Sequence, residues 1–446
     1  MKLRYRYFAI LLLIAGATTG SIRHLWAADE PAASPRSSTV SEWYVTTIAG
    51  KKILARELNV YAEGWLLNEG DDFQSLPAAE ILSVMNAETS PPDDLSRAAT
   101  SRLYLSNGDR LVGQLVDLSE AGVELKPLAS RPERETDGPD SSEPSGDADN
   151  KSPTVLKIPL ESLRALEWLP SGTSPDRAKL LTFENAVNQD VLKLSNGDQL
   201  SGDLTTIALD NLEFSDDQGS RTIPMSEVRA LLFNPELVIE PKAVGNYRRI
   251  ALSDGSLLTL TELTLLDFNR FELKTLMAGT YRVPLEMLVS LGTFSENLVP
   301  LSQRTPSEVN YTPFLSSIPP WQPDMNVTGA PMQMAGGRYL TGVGVHSRTE
   351  ITWPLEEGDS RFLANIGIDD STNGGGSVTF SVLLDGEVAF ESGPVRGGEL
   401  PRLIDIDLTG KEHLTLLVDF GERGDVLDRA NWGQALIVKE KLETDN

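Results

Sequence analysis

The chain of 446 residues has no cysteine. That excludes disulfides, thiolate nucleophiles, zinc–thiolate sites and iron–sulfur clusters. Histidine is nearly as scarce, with only His24, His346 and His413, too few for a histidine metal cluster. A serine-type triad would have to draw on His346 or His413. Positive charge is short as well: 39 Lys and Arg stand against 65 Asp and Glu, a net charge of −26. No basic stripe interrupts that balance, so nucleic acid is not expected as a partner. No apolar run reaches the roughly 20 residues that cross a bilayer.

What is present begins with a leader. Lys2, Arg4 and Arg6 precede the apolar run FAILLLIAGA over residues 8–17, the pattern of a secretory signal. Ala15-Gly16-Ala17 and Ala27-Ala28 are the two candidate cleavage points, so residues 1–28 are expected to be a signal peptide, with an uncleaved anchor as the alternative. The chain is then an exported protein, periplasmic, cell-surface or extracellular, with no transmembrane span once mature.

An internal repeat follows. LYLSNGDRLVGQL, LKLSNGDQLSGDL and IALSDGSLLTLTEL each open a segment that closes on KIPLESLRALEW, TIPMSEVRALLF or RVPLEMLVSLGTF. A weaker copy opens VTTIAGKKILAREL and closes SLPAAEILSVMN. Gly50 to Pro77 and Gly197 to Pro224 span 27 residues each, Gly255 to Pro284 spans 29, and Gly108 to Pro159 spans 51. The excess in the second copy matches residues 130–152, which hold Asp, Glu, Pro, Ser and Gly and no large apolar side chain. Such a stretch cannot offset its ordering entropy by burial and is expected to be a disordered loop. Asn-Gly and Asp-Gly between alternating apolar runs mark tight hairpins. Apolar residues at a spacing of three after each proline predict a short helical turn before a closing strand. The repeats are expected at 41–90, 101–169, 190–234 and 248–296, each a strongly bent small β-barrel. In pattern they resemble Sm-like or Src-homology-type barrels. Asp109 and Asp198 read as exposed turn acids rather than catalytic ones, because other copies carry Lys51 or Ser256 there.

Residues 297–310 read as a polar linker. Beyond them, over 311–440, short strands alternate: Val378, Phe380, Val382 and Leu384 against Thr379 and Ser381, and Ile404, Ile406 and Leu408 against Asp405 and Asp407. About 130 residues of this kind argue for a β-sandwich of jelly-roll type. The expected fold class is therefore all-β: four small barrel-like repeats, then a sandwich.

Several motifs in this last region occur in a familiar order. They are Gly344-Val345-His346, Gly367-Ile368-Asp369-Asp370, Asp385-Gly386, the leucine-rich strand from Leu414, and Asp428 with Asn431-Trp432 before the last strand. In these the region resembles the NPCBM family, the novel putative carbohydrate-binding module noted beside glycoside hydrolases. The resemblance covers under a third of the chain. It implies a β-sandwich and a galactose-type glycan as partner. The family often has Asp before the late Trp, where this chain has Asn431.

Sugar sites need a flat apolar ring for the C–H face and planar polar groups for the hydroxyls. His346, Arg348, Asn431 and Trp432 are the candidate sugar contacts. Trp432 has a second reading as a core ring, and His346 as a structural histidine. Asp369 and Asp370 are candidate calcium ligands, or else acids of a turn that bond their own backbone. The reading is a non-catalytic carbohydrate-binding protein whose repeats serve as scaffold or interaction surface. A structural envelope protein that contacts other envelope proteins is the alternative, and a glycoside hydrolase the third, since two carboxylates suffice for that chemistry.

Overall fold

Asn-Gly and Asp-Gly turns set the architecture, because a glycine at positive φ lets a strand reverse within two residues. Gly108, Gly197 and Gly255 have φ of 86°, 97° and 91°. The structure is a computed structural model that describes residues 42–61, 64–68, 73–86, 100–130, 155–170, 172–173, 180–181, 188–267, 270–314, 319–422 and 424–440. The leader lies outside the described residues, as does the acidic insert apart from Ser130. The described elements are strands and three-residue 3₁₀ turns, so the all-β expectation holds. Among the described residues no helix is long and apolar enough to cross a membrane.

The segment from Thr100 shows the plan of each unit. Strand Thr100–Leu105 reverses into Arg110–Ser119, which pairs back with it. Past a bulge between Leu115 and Asp117 the long strand bends away and pairs with Gly122–Pro127. Leu156–Ile158 extends that edge. A 3₁₀ turn, Leu160–Ser162, follows Pro159, and Leu163–Leu169 returns to pair with Thr100–Leu105. Leu103, Leu111, Leu125, Ile158 and Leu166 fill the interior. Equivalent pairings recur between Asp190 and Leu232 and between Tyr247 and Phe294. In the first unit the long strand is split into Lys52–Ala55 and Glu57–Tyr61.

The units join through two kinds of contact, each close to two-fold symmetric. Closing strands pair antiparallel: Leu166 faces Leu231 across units two and three, and Leu291 faces Val84 across units four and one. These four residues end the matching runs IPLESLRAL, IPMSEVRAL, VPLEMLVSL and LPAAEILSV. Both joints therefore use one strand in one register. The other contact sets the hairpins of units two and four against each other, with Arg110 opposite Leu257. Asp109 accepts from the Thr259 amide and hydroxyl, each at 2.8 Å. In return Ser256 Oγ accepts from the Val112 amide at 3.0 Å. Asp109 was expected to be exposed; it is buried, because this docking covers its turn, whereas Asp198 is exposed. The chain of contacts runs three, two, four, one and makes a continuous 18-stranded sheet.

The last third is a sandwich of a six-stranded and a five-stranded sheet. Its core holds Trp353, Phe362, Phe380 and Trp432 among aliphatic residues. The 297–310 segment, expected as a linker, belongs to the sandwich instead. Leu298–Pro300 pairs with the last strand, Arg429–Lys439, and Glu308–Tyr311 pairs with Thr349–Pro354. Between them Arg304 clamps buried Asp359 through two nitrogens at 2.5 and 2.8 Å. The polar letters of the segment hid a buried bidentate ion pair. The sandwich also shares core with the units: Leu82 and Phe294 pack with Leu298, Leu363 and Leu436.

Candidate functional site

Trp432 comes first because its place decides which surface is available. Strand Arg429–Lys439 lies in the middle of its sheet, with Gly342–His346 paired on one side and Asp359–Ile368 on the other. Trp432 is 1% exposed and stands edge-on to Phe380 with ring centroids 5.0 Å apart. The core reading of this ring is the one the structure supports, and the indole offers no face to a sugar. Asn431 is buried beside it, and its Nδ2 donates to Asp369 at 2.8 Å.

Asp369 and Asp370 are braces. Asp369 accepts from Asn326 Nδ2, Asn431 Nδ2 and the amides of Gln333 and Ser371, at 2.8 to 3.1 Å. Asp370 accepts from the amides of Ala335 and Gly336, both at 2.8 Å. Each carboxylate oxygen thus already accepts from an N–H group. A calcium ion would have to displace these donors; only the Ser371 amide belongs to the turn itself, so the pair mainly braces neighbouring loops and strands. Among the described residues no group of three or more His, Asp or Glu is placed to hold a metal ion.

The remaining candidates lie together at one end of the sandwich. Strand Gly342–His346 ends at His346, which faces Arg429 on the neighbouring strand. Its Nδ1 lies 3.0 Å from the Ser347 carbonyl. Next to it Ser347 Oγ donates to buried Asp428 at 2.6 Å, and the Ser377 amide donates to the same carboxylate at 2.9 Å. Burial pushes the Asp428 carboxyl upward, against the pull of these two donors. This anchor fixes the loop that carries Arg348. The Arg348 guanidinium reaches Asp419 at 3.4 Å and Glu350 at 3.9 Å, all three side chains being at least a third exposed.

Sequence reasoning missed the aromatic part of this rim. The Thr312 amide donates to the Arg348 carbonyl at 3.0 Å, which brings the 311–314 stretch across the Arg348 loop. Phe314 then stacks edge-on against Phe420 at 5.5 Å, one residue beyond Asp419. Phe314 is 54% exposed. A large aromatic ring held half in water by a fixed neighbour is the available signal, and only the pairing of the former linker with the sandwich brings it to the rim. The candidate site thus comprises Phe314, Phe420, Arg348, Asp419, His346 and Arg429. It supplies one apolar ring and both donors and acceptors for hydroxyl groups.

Comparison with known proteins places the last third of the chain beside a known family. Residues 299–438 match the family model of the NPCBM/NEW2 domain. A stretch of 113 residues is 33% identical to alpha-1,3-galactosidase B of Akkermansia muciniphila, covering 24% of this chain and 14% of that protein. The chain therefore spans only a small part of that relative's length. Among solved structures, the CBM51 module of Clostridium perfringens GH95 in complex with methyl-galactose is 26% identical. That match covers 32% of this chain and 99% of the other, with a TM-score of 0.29. The structure of CBM51-2 in complex with GlcNAc and of INT domains from Clostridium perfringens ZmpB is 19% identical over 42% of each chain, with a TM-score of 0.30.

Proposed function

We propose that the protein is a non-catalytic glycan binder that uses the rim around Phe314 and Arg348, with the β units as its scaffold. The observation that carries this is the exposed Phe314 ring, propped on Phe420 beside the accessible Arg348–Asp419 pair, on a domain that matches NPCBM/NEW2. A sugar's C–H face stacks on such a ring, while a guanidinium and a carboxylate address neighbouring hydroxyls. A galactose-type glycan is the first ligand to test, because the matched stretch of alpha-1,3-galactosidase B is 33% identical. The basic and apolar leader supports export, and N-terminal sequencing of secreted material tests it.

The test of binding is calorimetry of the full chain with galactose-terminated oligosaccharides. Phe314→Ala and Arg348→Ala are each expected to weaken binding at least roughly tenfold, a loss of about 1.4 kcal/mol, with melting unchanged. Binding that survives both substitutions, or no glycan bound at all, overturns the reading. Trp432→Ala is the contrasting variant. It removes a core ring and is expected to destabilise the fold by about 3–5 kcal/mol.

A further inference from the structure

Where units two and four meet the sandwich there is a cavity of about 420 Å³. Its lining includes Asn107, Arg110, Lys242, Tyr247, Arg249 and Gln303. Arg110 sits on the near-two-fold joint between the two hairpins. It is 8% exposed, and its Nε has no hydrogen-bond partner. Among the described residues its guanidinium makes neither a hydrogen bond nor an ion pair. Arg249, also buried, has an unpartnered Nε as well. Its Nη1 makes only long contacts, to Asp324 at 3.4 Å and to the Leu340 carbonyl at 3.5 Å.

None of the nearby described acids pairs with Arg110. Asp109 is taken up by Thr259 and by Asn107 Nδ2. Asp324 serves the Gly342 amide besides Arg249. Glu240, also on the lining, is exposed. Burial first, then the charges of Arg338 and Arg249, pull the Arg110 pKa down to about 9. The group is still a cation at neutral pH, and a buried cation without a partner is costly to keep. In a chain of net charge −26 this is an unusual place to leave one guanidinium fork open beside a second that is held only by long contacts.

We infer that this cavity binds a small organic oxyanion, with Arg110 and Arg249 donating to its charged oxygens. Asn107, Tyr247 and Gln303 offer neutral polar contacts to the rest of the molecule. Guanidinium forks match carboxylate, sulfate and phosphate oxygens alike. The volume falls in the range of small-molecule sites, roughly 300–1,000 Å³, which is more than a bare inorganic ion fills. The inference is independent of glycan binding at the rim, because the two sites share no residue.

Calorimetry and thermal melts of the full chain test it, with sodium glucuronate, sulfate and phosphate each compared with sodium chloride at equal ionic strength. At least one of the three is expected to bind saturably and raise the melting temperature, and the ranking tells a carboxylate from a tetrahedral anion. Arg110→Gln is expected to weaken that binding at least roughly tenfold while leaving the anion-free melting temperature unchanged or higher. Arg348→Ala, on the rim, is expected to bind the anion as the parent does. Arg110→Met repeats the test if the glutamine variant folds poorly. No saturable binding by any of the three anions overturns the proposal. So does anion binding indifferent to Arg110, or a fall of about 5 °C or more in anion-free melting for both Arg110 variants, which would make the side chain a structural strut.

Discussion

Asp109 and Asp198 occupy one position of one turn motif, yet they do different work. Each accepts from the asparagine two residues earlier, Asn107 at 2.9 Å and Asn196 at 2.7 Å. Asp109 also bonds Thr259 of another unit through two further contacts and is buried, which raises its pKa despite the nearby Arg249 charge and those donors. Hydrogen bonds to charged groups are worth about 1.5–3 kcal/mol each, and a buried donor left without a partner costs about 1–3 kcal/mol. Asp109→Ala is therefore expected to destabilise the protein by about 3 kcal/mol. Asp198→Ala should lose about 0.5 kcal/mol or less, as a surface substitution does. Urea unfolding of the two variants measures the difference, and equal losses would show that the hairpin joint contributes nothing beyond the turn itself.

At the level of elements, the joint between units two and three rests on a buried charge. Glu167 lies on the closing strand Leu163–Leu169 and is 2% exposed. It receives Arg102 at 3.2 Å, Tyr104 at 3.0 Å and, from unit three, Arg229 at 2.9 Å. Removing one partner of such a network strands the others, at about 3–5 kcal/mol. Glu167→Ala is expected to cost that much in chemical denaturation, and a loss under about 1 kcal/mol would place the network among weak surface pairs. This contact was half legible in the sequence. LRALEWL shows a lone acid in an apolar strand, but its partners come from residues 102, 104 and 229. Hairpins were legible because Asn-Gly acts locally, and so was the 3₁₀ turn after each proline. Joints between units were not, since identical motifs at Asp109 and Asp198 end in opposite burial. Of the residues proposed for the rim, the sequence pointed to His346 and Arg348. Phe314 was hidden because its position depends on a register between Tyr311 and Thr349, which no local pattern encodes. Trp432 and Asn431 show the reverse case: residues of the right chemistry for a sugar, drawn into the core by the central strand that carries them.

Across the whole molecule, the question is whether the units and the sandwich melt as separate beads or together. Their joints argue for one transition. Leu82 of unit one and Phe294 of unit four share a cluster with Leu298, Leu363 and Leu436 of the sandwich. Met85 does the same with Met332, Met334 and Tyr339. Ser83 donates to Gln434 at 3.1 Å across the same boundary, where both side chains are buried. Phe294 is 1% exposed, so Phe294→Ala is expected to cost about 3–5 kcal/mol. Because the ring touches both halves, that loss should appear in both. Hydrogen exchange can separate them, reading amides of the strands Leu288–Phe294 and Leu163–Leu169 on one side and Phe362 to Ile366 and Val378 to Val382 on the other. In the parent chain the most protected amides of both halves should open with one free energy, and the variant should lower both together. If the sandwich amides kept their protection while those of the units lost it, the shared clusters would be contacts between independent folding units and not a common core.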